Sequence, residues 1–97
     1  MLTWRSKKLM HIIHHDRVFE RQLKKLSKEL REKLRERLNL LIRDASNSLL
    51  NDHKLGPPYE IYRSINITGD YRLVYKRIEK NTCYLRAVGT HHQLYGT

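Results

Sequence analysis

The sequence predicts a single α+β domain in the order β-α-α-β-β-β, with a helical hairpin packed on one face of a small antiparallel sheet. Three observations carry that prediction. Apolar residues recur at spacings of three and four through the first half, they alternate with polar residues after Pro58, and turn signals cut the second half into runs of strand length. A chain of 97 residues buries one modest core. Residues 1–97 are therefore read as one domain, with 1–9 an optional N-terminal extension if translation can also begin at Met10.

Leu9 to Ile13 is a short apolar stretch read as a first strand, and His14-His15-Asp16 turns it into a helix with Asp16 as N-cap. From Arg17 to Arg43 the residues Phe19, Leu23, Leu26, Leu30, Leu34, Leu38, Leu41 and Ile42 form one stripe at the helical period. Unbroken, this would be a long rod for a small domain. Ser27 can cap a second helix and Leu26-Ser27-Lys28 can hold a tight turn, so two antiparallel helices with both stripes on one sheet are expected. Asp44 to Asn47 ends the second helix, and a linker through Leu49-Leu50-Asn51-Asp52 leads to Gly56-Pro57-Pro58.

Tyr59 to Ile67 then reads as a half-buried strand, with Ile61, Ile65 and Ile67 on one side and Tyr62, Ser64 and Asn66 on the other. Thr68-Gly69 is a hairpin turn, Tyr71 to Ile78 the next strand, Glu79 to Asn81 a second turn and Thr82 to Val88 the last strand. Arg63 falls among the isoleucines. Either its stem snorkels at an edge or the register shifts by one.

Lys and Arg total 20 against 10 Asp and Glu, a formal net charge of +10 with pI near 10.1. Such a field favours polyanions without specifying a sequence. Ten of those cations and four Glu lie on the helical segment. Singly they read as a solvated face with pairs such as Glu32 with Arg35; together they act at long range. The one cysteine, Cys83, excludes an intramolecular disulfide framework and reads as a buried free thiol in a reducing compartment. Arg5, Lys7, Lys8 and His11 interrupt the N-terminus, so neither a signal peptide nor a membrane span is expected, and the cytoplasm is the expected location. Six histidines invite a zinc reading, but His14-His15 and His91-His92 are adjacent pairs without the i, i+4 spacing of two ligands on a helical face. No metal and no other cofactor is expected.

Four polar signatures sit at the ends of the predicted strands: His53-Lys54-Leu55, the run Asn66 to Tyr75, Arg86, and Gly89 to Tyr95. Alternation puts Arg72, Val74 and Lys76 on one side of their strand. Tyr84, Arg86 and Val88 take the matching side of the next, with Cys83, Leu85 and Ala87 in the core, so Arg72 and Arg86 converge on the uncovered face. Proton donors and acceptors that work near neutral pH, beside cations that bind phosphate, suit metal-independent RNA cleavage by attack of the 2′-hydroxyl on the neighbouring phosphorus. Each residue also has a plainer reading. His91-His92 suits a solvated tail, and Asp70 beside Gly69 is ordinary turn chemistry.

Taken in order, the first strand, the basic helical pair, the His53-Lys54-Leu55 loop, the hairpin Gly69-Asp70-Tyr71-Arg72-Leu73-Val74-Tyr75 and the closing Gly89-Thr90-His91 with Leu94-Tyr95 resemble the RelE/ParE superfamily of bacterial toxin–antitoxin toxins. The YafQ branch is most similar, from about Met10 to the C-terminus. The resemblance implies a type II toxin that cuts messenger RNA in association with the ribosome, a short C-terminal helical turn, an acidic antitoxin partner, and a monomeric free toxin that assembles further with that antitoxin. It aligns His53 and His91 with the family's catalytic histidines, Asp70 with an acid–base residue, Tyr95 with an aromatic near the scissile nucleotide, and Arg72 with a phosphate-binding arginine. Asn66 departs from the pattern, which has histidine there and so one more proton-transfer group. On this reading His91 is the general acid, Asp70 or His53 the general base, and Arg72 with Lys54 or Arg86 the phosphate clamp. Tyr71 or Tyr95 stacks on a base, and Asn66 contributes to RNA binding. Two alternatives stand beside it: a ParE-type gyrase poison, which would have no use for His53, Asp70 and His91, and a decayed toxin that only binds antitoxin or RNA, suggested by Asn66.

Overall fold

The computed structural model describes residues 3–5, 12–79 and 82–96. Its elements are β1 (Thr3–Arg5), β2 (Ile12–His15), α1 (Arg17–Lys25), α2 (Lys28–Arg43), β3 (His53–Lys54), β4 (Arg63–Asn66), β5 (Tyr71–Glu79), β6 (Thr82–Thr90) and α3 (His91–Tyr95), with a short 3-10 turn at Ser48–Leu50. Capping sets the helix boundaries. The Asp16 carboxylate accepts from the Phe19 N–H at 3.0 Å, and the Ser27 hydroxyl accepts from the Leu30 N–H at 3.2 Å. The basic segment therefore breaks into a hairpin at Ser27, where a side chain satisfies an N–H that the new helix leaves open.

The strand order is β1-β2-β6-β5-β4-β3. β3 to β6 pair antiparallel, while β2 runs parallel to β6 with Ile13 opposite Cys83 and His15 opposite Leu85. The sheet is thus mixed, not wholly antiparallel. The short connection between Asn66 and Tyr71 favours antiparallel pairing of β4 with β5, whereas β2 meets β6 across most of the chain and no turn dictates their relative direction. The strand expected over Leu9 to Ile13 is described at Ile12–His15 and so runs two residues further than expected; Leu9, Met10 and His11 fall outside the described residues. β1 comes from the segment read as an optional extension and pairs antiparallel with β2. The turn expected at Glu79 to Asn81 includes Lys80 and Asn81, which are also outside the described residues.

Both helices cover one face. Phe19, Leu26, Leu34, Leu38, Leu41 and Leu50 pack there against Ile65, Ile67, Leu73, Tyr75, Leu85 and Val88. Arg63 lies in register opposite Tyr75, on this same side of the sheet. Its Nε donates to Asp52 at 2.9 Å, and the other Asp52 oxygen accepts from the Tyr75 hydroxyl at 2.9 Å. A core-side arginine is thus held by a linker carboxylate, and the register has not slipped. Burial first, then the Asp52 contact, push the Tyr75 hydroxyl far above the ordinary phenol value, so it remains a donor.

β6 contains a bulge. Val74 faces Ala87 but Tyr75 faces Leu85, so Arg86 is the extra residue and the alternation reverses across it. That corrects two expected placements: Val88 joins the helix-side core, and Ala87 turns to the other face. The Gln22 side chain of α1 accepts the Val88 N–H at 2.8 Å, fixing the strand just past the bulge. Tyr59 to Tyr62 is not strand. The Tyr59 N–H donates to Gly56 O and the Tyr62 N–H to Tyr59 O, which spends the backbone on local turns and leaves Ile61 69% exposed. Cys83 is buried, and burial pushes its thiol pKa up. Among the described residues no helix is long and apolar enough to cross a membrane.

Candidate functional site

The face of the sheet away from the helical hairpin carries a smaller apolar cluster. Val74, Ala87 and Leu94 form its centre, with Leu55, Tyr59, Tyr62 and Tyr95 packed around them. It fixes α3 on this open face. Thr90 and Gln93 make a capping box, the Thr90 hydroxyl accepting from the Gln93 N–H at 3.1 Å and the Gln93 carbonyl accepting from the Thr90 N–H at 2.8 Å. Gly89 leaves room for the Gln93 side chain: a Cβ there would stand 2.8 Å from Gln93 Oε1. The His91 N–H donates to Asp70 O at 3.2 Å, joining the start of α3 to the β4–β5 turn, and the Tyr59 hydroxyl donates to Leu94 O at 3.4 Å.

Directly opposed residues share a face, so register alone places most of the predicted site. His53 is opposite Ser64, Ser64 opposite Val74, and Val74 opposite Ala87; one step along, Asn66 is opposite Arg72 and Arg72 opposite Gly89. His53, Ser64, Asn66 and Arg72 are therefore on the open face beneath α3. The Tyr95 hydroxyl donates to Ser64 Oγ at 3.4 Å, and its ring lies 4.7 Å from that of His91. Asp70 is exposed on the turn whose carbonyl holds His91. One end of the open face thus gathers His53, Asn66, Asp70, Arg72, His91 and Tyr95.

The local bonding suits these groups to different tasks. His53 Nδ1 sits 2.7 Å from Asn51 O, so Nδ1–H donates to that carbonyl and turns Nε2 away from it; in the neutral ring Nε2 is the acceptor. Arg72 Nη1 donates to the carbonyls of Thr68 and Gly69 at 3.1 Å each and of Tyr71 at 3.3 Å. The turn thereby orients the guanidinium, and among the described residues Nε and Nη2 make no hydrogen bond. Asn66 Oδ1 is buried with no hydrogen-bond partner among the described residues. An amide oxygen there can accept a hydrogen bond but cannot trade a proton as histidine would.

Three predicted residues are not brought into this group. Tyr71 packs against the helix-side core, because Tyr71, Leu73 and Tyr75 alternate with Arg72 and Val74. Lys54 opposes Arg63, which places it on that same side. Arg86 lies three residues before Gly89, about 10 Å of strand from Arg72's partner, and its Nη1 pairs with Asp16 at 3.5 Å. Conversely, sequence reading gave no role to Ser64, Tyr59 or Gln93. The capping box was findable from Thr90-x-x-Gln93, whereas Tyr59 and Ser64 matter through contacts with Leu94 and Tyr95 that no local pattern encodes. Among the described residues no three His, Cys, Asp or Glu side chains are gathered as a metal site requires.

The sequence model describing the bacterial toxin of type II toxin–antitoxin systems, YafQ, matches residues 11–96. The chain belongs to the YafQ toxin family. The fold agrees with that membership. The crystal structure of YafQ from E. coli strain BL21(DE3) superposes with a TM-score of 0.74 at 24% identity, covering 96% of this chain and 100% of that one. The E. coli DinJ–YafQ toxin–antitoxin complex gives 0.71 at 25% identity, covering 87% of this chain and 96% of that chain. The YoeB–YefM complex from Staphylococcus aureus gives 0.68 at 22% identity, covering 81% and 94%. No curated protein sequence matches the chain. The short C-terminal helix of this YafQ-family toxin is α3, which presents His91 and Tyr95.

Proposed function

We propose that this YafQ-family toxin is an endoribonuclease that cuts messenger RNA at the ribosome by metal-independent acid–base catalysis. The observation that carries the reading is the convergence of His53, Asp70, Arg72, His91 and Tyr95 on one uncovered end of the sheet. A base, His53 Nε2 or Asp70, removes the proton from the ribose 2′-hydroxyl. The 2′-oxygen then bonds to phosphorus, the bond from phosphorus to the 5′-oxygen breaks, and His91 delivers a proton to that oxygen. The products are a 2′,3′-cyclic phosphate and a 5′-hydroxyl. Arg72, oriented by the turn carbonyls, stabilises the charge that builds on the phosphoryl oxygens, and Tyr95 stacks on a neighbouring base. Asn66 takes no proton in this scheme and contributes to RNA binding at the edge of the site.

Residues 1–97 act as one toxin domain in the cytoplasm, monomeric until an acidic antitoxin neutralises it; the E. coli and S. aureus relatives have been solved as complexes with DinJ and YefM. The test is expression without an antitoxin, followed by primer extension. New 5′ ends inside open reading frames are expected during growth arrest. Arrest with intact messages would overturn the nuclease reading and favour gyrase poisoning.

A further inference from the structure

The open face also carries a series of rings that starts in the cleavage group, runs through the apolar cluster, and ends at Lys76, a cation that the cleavage chemistry does not use. Aromatic rings cross the face in sequence: His91 to Tyr95 at 4.7 Å, Tyr95 to Tyr59 at 6.0 Å, Tyr59 to Tyr62 at 6.2 Å. The series ends on Lys76, whose Nζ lies 5.4 Å from the centroids of both Tyr62 and Tyr84. Lys76 opposes Tyr84 in the β5–β6 register, Arg86 follows two residues on, and Asp16 holds Arg86 at 3.5 Å. Among the described residues the Lys76 ammonium meets aromatic faces and forms no ion pair. Those faces fix its position while leaving three N–H donors for an oxyanion.

Lys76 is four residues along β5 from Arg72, about 13 Å at the rise of a strand. One phosphate cannot bridge that distance. We propose that Lys76, clasped by Tyr62 and Tyr84 with Arg86 alongside, is a second subsite for single-stranded RNA. It holds a phosphate and stacks a base away from the scissile linkage, while the tyrosine series lines the path between the two. Aromatic faces interleaved with cations are what an unpaired strand requires, because every base has a stacking face and every linkage a charge. The inference rests on the RNA-cleaving reading and names where the flanking nucleotides lie.

The test is fluorescence anisotropy with the full chain and uncleavable 2′-O-methyl RNA, as a dinucleotide and as a hexanucleotide. Wild type should bind the hexanucleotide more tightly. Lys76→Met keeps the apolar stem and removes the charge; it should weaken hexanucleotide binding by about tenfold, leave the dinucleotide unchanged, and reduce the log–log salt slope by about 0.7. Lys76→Arg should bind normally, and thermal melts identify any variant that has lost its fold; Arg86→Gln then reads the same subsite. Hexanucleotide affinity unchanged in Lys76→Met and in Arg86→Gln would overturn the subsite alone. Wild type that binds neither RNA would overturn the subsite together with the nuclease reading.

Discussion

Gly89→Ala should unlatch α3 by a route that a second substitution can reverse. The added Cβ would stand 2.8 Å from Gln93 Oε1, so that side chain must swing away and release its 2.8 Å bond from the Thr90 N–H. Losing that half of the capping box costs about 1 kcal/mol. Steric displacement adds to the loss, while alanine in a strand regains about 0.5–1 kcal/mol of backbone entropy over glycine. The net expectation is a destabilisation of about 0.5–1 kcal/mol. Gln93→Ala alone should cost about 1 kcal/mol. In that background the clashing oxygen is gone, and the remaining neighbours, at 3.4 and 3.6 Å, are tolerable contacts. Gly89→Ala should then be neutral or slightly stabilising. Urea unfolding of the four proteins supplies the cycle, and amide exchange at Thr90 and Gln93 localises the change. Equal costs for Gly89→Ala in both backgrounds would refute the idea that this glycine exists to admit Gln93.

Further perturbations probe other parts of the account. Asp52→Ala should cost about 2–3 kcal/mol in urea unfolding, because the buried Tyr75 hydroxyl and half-exposed Arg63 lose their shared acceptor; a loss below about 0.5 kcal/mol would deny that anchor. His15 is fully buried, and burial lowers its pKa below the ordinary value of 6.5 despite Glu20 nearby. The unfolded chain therefore binds this proton first. Stability should be unaffected above pH 6.5 and fall as pH drops below it, until the folded-state pKa is reached. His15→Phe should flatten unfolding free energy over that window, and an unchanged slope would assign it to other groups. Antitoxin affinity should fall steeply as salt rises, given the net charge of +10; an affinity flat with ionic strength would rule out charge as the main attraction.

The parts of the fold governed by local chemistry were legible in the sequence. Asp16 and Ser27 announce helix starts because their side chains complete the backbone bonding of residues three positions on. The leucine stripe announces which face is covered. What failed was non-local. The bulge at Arg86 exchanges the faces of Ala87 and Val88, and nothing in the run from Thr82 to Thr90 marks it, since its support comes from Gln22 on α1. The parallel pairing of β2 with β6 joins segments at opposite ends of the chain. Arg63 looked misplaced until Asp52, in what read as linker, supplied its partner. At the site, register on one face joins His53, Asn66 and Arg72, and α3 adds His91 and Tyr95. Tyr71 and Lys54 fall on the other side through the same alternation, and Arg86 is drawn away by Asp16.

The most direct measurement is single-turnover cleavage of message by His91→Ala, with His92→Ala as control. His91 caps the open-face end, its ring against Tyr95 and its N–H on Asp70, while His92 is the next residue around the helix; both side chains are exposed. Removing the proposed general acid should lower the rate by about 10²–10⁴ and change stability by less than about 0.5 kcal/mol, whereas His92→Ala should cleave at the wild-type rate. Equal losses in the two variants, or a His91→Ala protein that cuts normally with an unchanged melt, would contradict the proposed mechanism.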